Sequence, residues 1–321
     1  MSSEPDSAAE PLPRFEERYV VEPNYEGWRL DRFLTEKLKR ASRSRVVRII
    51  KASVRFEDGR RVKPGAVVRG GDVVLIDRVE RRDPASPPLE AVCVLYERED
   101  LIVVDKPAGM LVHRTAREAT LTVDAWARWR FPSRRVEPVH RLDRDTSGVL
   151  VCGRGEAAIA RLRALFRDAA VRKEYVAVVD DPDAAWEPGD ERTFDQPLGL
   201  DPTSAVGVRM GPGDLPCRTF ARCARRAGPY AFLDVTIEQG RQHQIRAHLS
   251  LFGTPLVGDK LYGHGDAFFA MWADAPGAPQ LTRLLTTRWH CLSAVRVAFT
   301  DADERVDVRA PWPEHIRALE E

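Results

Sequence analysis

Residues 140–148 read His-Arg-Leu-Asp-Arg-Asp-Thr-Ser-Gly, and the apolar run Val149-Leu150-Val151 follows at once. That run has the character of a buried strand. Thr146-Ser147-Gly148 is turn-forming, so the charged residues occupy a loop that feeds the strand. Within it, Asp143 stands among Arg141 and Arg144. A carboxylate beside cations stays ionised and can act as a nucleophile. Asp145 also lies next to an arginine and is the rival for that role. A plain surface ladder of ion pairs would need the same residue types.

Toward the C-terminus, Ile159, Leu162, Leu165 and Phe166 share one face of a helix expected over Glu156–Ala170. Val171-Arg-Lys-Glu-Tyr175-Val-Ala-Val-Val then reads as a strand, in which Tyr175 by spacing alone is a half-buried residue with a hydrogen-bonded hydroxyl. In Ile237-Glu-Gln-Gly240-Arg-Gln-His243-Gln-Ile-Arg246-Ala-His248-Leu249, Gly240 suits a strand end and the following residues a helix start. His243 and His248 are five apart, with no His-Glu-x-x-His arrangement, so no metal site is expected. The glycine-punctuated stretch Gly253 to Gly263 lacks a phosphate-loop pattern. Toward the N-terminus, Leu101-Ile-Val-Val-Asp105-Lys106-Pro-Ala-Gly109 is a strand running into a tight turn, and His113 beyond it reads as structural.

A chain of 321 residues fits two or three units of unequal size. Its 43% hydrophobic and 31% charged content suits a soluble protein with a core, and no apolar run is long enough to span a bilayer. The five cysteines are odd in number and lack Cys-x-x-Cys spacing, which fits reduced thiols in a cytoplasmic protein. Net charge is only +1, yet Arg29 to Arg69 holds 14 Lys and Arg against 4 Asp and Glu, a local +10 that leaves about −9 for the rest. A basic segment on a neutral chain implies an anionic partner.

Residues 1–17 are expected to be a disordered tail, 18–79 a small basic domain, 80–88 a proline-rich linker and 89–321 one large domain. In the basic domain, Leu30, Phe33, Leu34 and Leu38 line one helix face. Ser42 caps a second helix with Val46, Val47 and Ile50 inward and Arg43, Arg45, Arg48 and Lys51 around its other sides. Val54 to Ile76 alternates like short strands broken by Asp58-Gly59, Pro64-Gly65 and Gly70-Gly71. This pattern, from Arg29-Leu-Asp-Arg-Phe-Leu to Gly71-Asp-Val-Val-Leu, resembles the S4 RNA-binding domain over about fifty residues. Arg55-Phe-Glu-Asp58 departs from that domain's usual turn.

In the large domain, Pro138-Val-His-Arg-Leu-Asp143-Arg-Asp-Thr-Ser-Gly resembles the signature of the RluA-type pseudouridine synthases, and Lys106-Pro-Ala-Gly, Lys173-Glu-Tyr175 and Gly240-Arg-Gln-His-Gln-Ile-Arg-Ala-His248 resemble its companion motifs. The resemblance implies an α+β fold with a mixed, largely antiparallel central sheet flanked by helices. It makes Asp143 the catalytic residue, ahead of Asp145. It makes Tyr175 the residue that stacks on the target uracil and assists proton removal, and Arg246 the partner of Asp143. Arg141 and His140 are assigned to the RNA, with Arg141 filling the space left by an extruded base. Trp289 and Cys291 depart from the family's pattern around His290, so no catalysis is assigned there. The implied reaction isomerises uridine to pseudouridine without cofactor, metal, membrane or second copy of the chain. The implied substrate is large-subunit ribosomal RNA, with the loops in Asp180 to Asp214 setting specificity. Three alternatives remain: a transfer-RNA enzyme, a non-catalytic RNA-binding or ribosome-assembly protein, and a glycoside or nucleoside hydrolase. The last needs a second positioned carboxylate.

Overall fold

The computed structural model describes residues 14–38, 42–80, 82–115, 117–168 and 170–320. The chain divides into two compact units after Arg81, and Thr115–Ala119 belongs with the first. Residues 1–13 of the expected tail and Arg81 of the expected linker lie outside the described residues.

The first unit contains β1 (Arg14–Val20), α1 (Leu30–Lys37), α2 (Arg43–Ser53), β2 (Val54–Phe56) and β3 (Val73–Val79). Its antiparallel sheet has the order β1-β3-β2. Leu30, Phe33 and Leu34 of α1 meet Val46 and Ile50 of α2 over Phe56, Val74 and Ile76. Ser42 Oγ accepts the Arg45 N–H at 3.4 Å, the cap expected for α2. Val47 is only partly buried. Arg14–Glu17, read as tail, is instead the first half of β1. Alternation did not betray this strand because its inward position 17 is a glutamate, satisfied by Arg78 at 2.8 Å.

The second unit runs through β4 (Cys93–Glu97), β5 (Leu101–Lys106), α3 (Val123–Arg130), β6 (Val136–Pro138), β7 (Ser147–Arg154), α4 (Glu156–Arg167), β8 (Arg172–Asp180), β9 (Glu191–Phe194), β10 (Leu198–Leu200), β11 (Met210–Pro212), β12 (Thr219–Ala227), β13 (Tyr230–Ile237), α5 (Gln244–Leu251), α6 (Gly265–Asp274), α7 (Pro279–Thr282), β14 (Leu292–Asp301), β15 (Glu304–Arg309) and α8 (Glu314–Arg317). Ten strands form one sheet along the path β4-β5-β7-β14-β8-β13-β12-β9, with β15 beside β14 and β6 beside β7. Every pairing is antiparallel except β7 with β14. β10 and β11 form a separate hairpin.

Both faces of the sheet are covered, which is why β5 and β7 read as continuous apolar runs. Ile102, Val104, Leu150 and Cys152 join Trp126 of α3 and Ile245 and Leu249 of α5 on one face. Leu101, Val103, Val149 and Val151 join Leu162 of α4 on the other, with Leu165 and Phe166 alongside. The helix expected to Ala170 stops at Arg167. The linker reading also needs correction: Asp83 is 1% exposed and accepts a hydrogen bond from Arg288 Nε at 3.1 Å, so residues 82–88 belong to the second unit. Cys93 is exposed, the other four cysteines are buried, and all five are free.

The parallel junction of β7 and β14 aligns the site. Gly148 pairs with Ala294, Ala294 with Tyr175, and Tyr175 with Val235, in one line across four strands. Gly148 has φ +102°, and a Cβ there would collide with the Ala294 carbonyl. No other residue fits both the conformation and the close approach.

Candidate active site

Asp143 lies in the loop just before β7. Arg246 reaches it from the first turn of α5 and donates from Nη1 to Asp143 Oδ2 at 2.8 Å. The helix delivering Arg246 is buried on nearly every side, and its polar residues are satisfied: Gln244 Nε2 donates to the Arg218 carbonyl at 2.9 Å, and His248 bonds Thr219 and the Gln196 carbonyl at 2.9 and 3.0 Å. A buried guanidinium needs compensation of its own. Asp259 supplies it, accepting from Arg246 Nε at 2.7 Å and Nη2 at 3.0 Å. Asp259 Oδ1 is held in turn by the backbone N–H groups of Leu261 and Tyr262 at 3.0 and 2.9 Å.

This arrangement sets the charge on Asp143. Burial alone would raise its carboxyl, but His243 and Arg246 outweigh it and hold the group well below the usual carboxylate range. His243 is itself pushed down to about 4, by burial first and then by Arg246, so it is neutral near pH 7. The guanidinium therefore does the holding at neutral pH.

The loop is fixed from beneath. Lys106 is fully buried, and its Nζ donates to the carbonyls of Pro107, Met110 and Arg144 at 2.9, 2.7 and 2.9 Å. Burial pulls its amine down to about 7, while three carbonyl acceptors match the three hydrogens of the ammonium form. Asp145 turns away from Asp143 and accepts from Lys260 Nζ at 2.6 Å. Thr146 bonds His290 Nε2 at 2.8 Å, and Ser147 bonds Ser293 at 3.0 Å. Four consecutive residues after Asp143 thus have partners that hold them in place.

Arg141, Asp143, Tyr175, His243 and Arg246 line an open cleft. Asp143 is the one carboxylate in its lining among the described residues. Tyr175 projects from β8, and its hydroxyl has no hydrogen-bond partner among the described residues, unlike the ordinary strand tyrosine that spacing alone suggests. Burial, and then the Asp143 charge, push the phenol up, so it stays protonated at neutral pH. It can stack and donate, but it is poorly suited to taking a proton.

Residues 100–251 match the family model described as RNA pseudouridylate synthase. The chain is 34% identical over 263 residues to ribosomal large subunit pseudouridine synthase D of Xanthomonas campestris, covering 80% of this chain and 78% of that one. The chain belongs to the RNA pseudouridylate synthase family. It is also 28% identical to ribosomal large subunit pseudouridine synthase C of Vibrio cholerae, over 92% of this chain and 93% of that one. Among solved structures, human RNA pseudouridylate synthase domain containing 1 shares the fold, with a TM-score of 0.56, 23% identity, and coverage of 73% of this chain and 89% of that one.

The synthase brings Asp143, Tyr175, Arg246 and Arg141 to one cleft. Arg141 is exposed where it lines the cleft, and its side chain makes no hydrogen bond or ion pair among the described residues. His140 does not join them. Its Nε2 accepts the Val151 N–H at 3.0 Å, and its ring stacks on Phe166 with centroids 4.2 Å apart. Those contacts tie His140 to β7 and α4 and not to the cleft lining. His113 is a surface residue bonded to Asp124 at 2.9 Å. In the first unit, Arg43 pairs with Asp31 at 3.1 Å, while Arg45, Arg48 and Lys51 are exposed at intervals of three along α2.

Sequence reasoning missed Asp259, His290, Lys260 and the role of Lys106. His290 is buried, bonds Thr146, and lies 3.9 Å from Asp259. The signal for Asp259 was present as Gly258-Asp-Lys in a glycine-punctuated loop. The resemblance places this loop near the active site; what it left open is that Asp259 pairs with Arg246.

Proposed function

We propose that this synthase converts uridine to pseudouridine in large-subunit ribosomal RNA, with Asp143 as the nucleophile. The observation that carries the reading is the ion pair of Asp143 with a guanidinium that Asp259 holds from behind. It presents one ionised carboxylate in an open cleft that Arg141, Tyr175 and His243 also line.

In this reading, the target nucleotide leaves its stack and enters the cleft, at a cost of a few kcal/mol. Arg141 at the lip occupies the space it vacates. Asp143 attacks C1′ as the C1′–N1 bond breaks, and the electron pair of that bond stays on the uracil. The ring turns while stacked on Tyr175. C5 then bonds to C1′ and Asp143 departs. C5 loses a proton and N1 gains one. No redox change occurs and no energy input is required, so neither a nucleotide nor a metal cofactor is invoked. A hydrolase would need a second carboxylate across the cleft, whereas Asp145 is committed to Lys260.

The ribosomal target is supported by the names of the relatives from Xanthomonas campestris and Vibrio cholerae. The first unit serves as an S4-like RNA grip, with the Arg45, Arg48 and Lys51 face against phosphates. The enzyme acts as a monomer in the cytoplasm. No helix among the described residues is long and apolar enough to cross a membrane.

Replacing Asp143 with Ala tests the chemistry. Pseudouridine formation is expected to vanish while RNA binding persists; continued formation would refute the assignment. Mapping pseudouridines in ribosomal and transfer RNA, with and without the protein, tests the target.

A further inference from the structure

His243 lines the cleft, and the mechanism above leaves it without a task. It is the N-cap of α5 and has φ +52° and ψ +20°, a left-handed conformation that few non-glycine residues adopt. Its ring is held on one side only. Nδ1 is 3.1 Å from the Tyr262 hydroxyl, whereas Nε2 faces the cleft 3.9 Å from Asp143 Oδ2, with no hydrogen-bond partner among the described residues.

The bonds around Tyr262 determine which nitrogen carries the hydrogen. The Met210 N–H, from β11 of the hairpin, donates to the Tyr262 oxygen at 2.9 Å. The phenol's own hydrogen is therefore free to go to His243 Nδ1. That leaves the ring hydrogen on Nε2, directed toward the Asp143 carboxylate. The other tautomer would aim a lone pair at that carboxylate and leave the phenol hydrogen without a directed acceptor. Both penalties favour the Nε2–H form. Burial and Arg246 keep the ring neutral, so it offers a donor and not a second positive charge.

We propose that His243 is a catalytic residue that donates a hydrogen bond from Nε2 to the uracil as the C1′–N1 bond breaks, and that Tyr262 is the positioning residue that fixes this tautomer. The inference rests on the mechanism proposed for Asp143. As the bond breaks, its electron pair spreads over N1, O2 and O4 of the uracil. A fixed donor in a closed cleft stabilises such charge far better than water does. His243 keeps its proton throughout, since the proton C5 loses is balanced by the one N1 gains. The Met210 bond also ties the donor to the β10–β11 hairpin through one hydroxyl.

Two substitutions separate this role from a structural one. Asn tolerates the left-handed backbone and preserves a partner for Tyr262, but its amide ends where Nδ1 stands. Gln suits that backbone less well, yet its amide nitrogen reaches the position of Nε2. If backbone shape were all that mattered, His243→Asn would be the better enzyme. The proposal predicts the reverse in single-turnover assays on saturating ribosomal RNA. His243→Asn should lose about 100-fold, and His243→Gln should stay within about tenfold of wild type, with RNA affinity unchanged in both. Tyr262→Phe should lose about tenfold, by freeing the tautomer. Activity of Asn equal to or above Gln, or a fully active His243→Asn, would overturn the proposal. Asp143→Ala assayed alongside keeps the two readings apart, because its outcome tests the nucleophile whatever His243 does.

Discussion

Asp259 grips the Arg246 guanidinium with both oxygens, at 2.7 and 3.0 Å, and is completely buried beneath it. The bond from Arg246 to Asp143 uses the remaining terminal nitrogen. The Asp143–Arg246 pair is thus the cleft-facing end of a three-member chain. Removing the hidden member should damage both stability and rate. Asp259→Ala leaves a buried guanidinium half paired, and is expected to cost about 3–5 kcal/mol of stability. The turnover rate should fall about 10–100-fold through loss of orientation. Denaturant melts and single-turnover rates check the two effects separately.

The pH dependence follows from the same chain. Burial raises the Asp143 carboxyl, and its charged neighbours more than reverse this. With Asp143 as the proposed nucleophile the ionised form is the active one, so the wild-type rate should show no loss from Asp143 until the pH falls below about 4. In Arg246→Gln the guanidinium no longer offsets burial, so the carboxyl titrates higher than in the wild type and the acid loss of activity should begin at a higher pH. Arg246→Lys should show a smaller displacement. Stability follows the same sign. Asp143 and Asp259 are both depressed in the folded state. Their contribution is fully present above the unfolded value, about 3.9, and is lost only as the pH falls below it toward the folded values.

Gly148 is not part of the cleft lining, yet its replacement should be among the most damaging. A Cβ there collides with the Ala294 backbone, and φ is +102°. Gly148→Ala is expected to cost about 3 kcal/mol or more, through strain and separation of β7 from β14. Thermal melting measures the cost, and an unchanged midpoint would contradict the close approach described.

Tyr175 separates stacking from proton transfer. Its hydroxyl lacks a partner among the described residues, and its phenol is pushed up. Tyr175→Phe should remain within a few-fold of wild type, whereas Tyr175→Ala should lose about 1–3 kcal/mol of base binding. A dead Phe variant would return proton removal to this hydroxyl.

Arg45, Arg48 and Lys51 form an exposed basic stripe on α2. Changing all three to Gln should weaken RNA binding and flatten its salt dependence by about 2–3 in slope, with the rate at saturating RNA unchanged. An unaltered slope would remove this face from the RNA interface.

Local sequence already determined the parts that depend on nearest neighbours. Apolar runs at β5 and β7, the Ser42 cap and the turn at Gly148 were legible because period and turn chemistry act over a few residues. The contiguous motifs also pointed to Asp143 and Arg246, which the fold brings into contact. Tertiary structure alone decided how those parts meet. It turned His140 onto Phe166 and away from the cleft, made a strand of Arg14–Val20 around an inward glutamate, and drew residues 82–88 into the second unit through Asp83 and Arg288. It also placed Asp259 beneath an arginine 13 positions away and aligned Gly148, Ala294 and Tyr175 across separate strands. Those outcomes rest on the pairing of buried charges and on the register of distant strands. Both are set by the whole packed unit and leave no mark on the residues beside them in the chain.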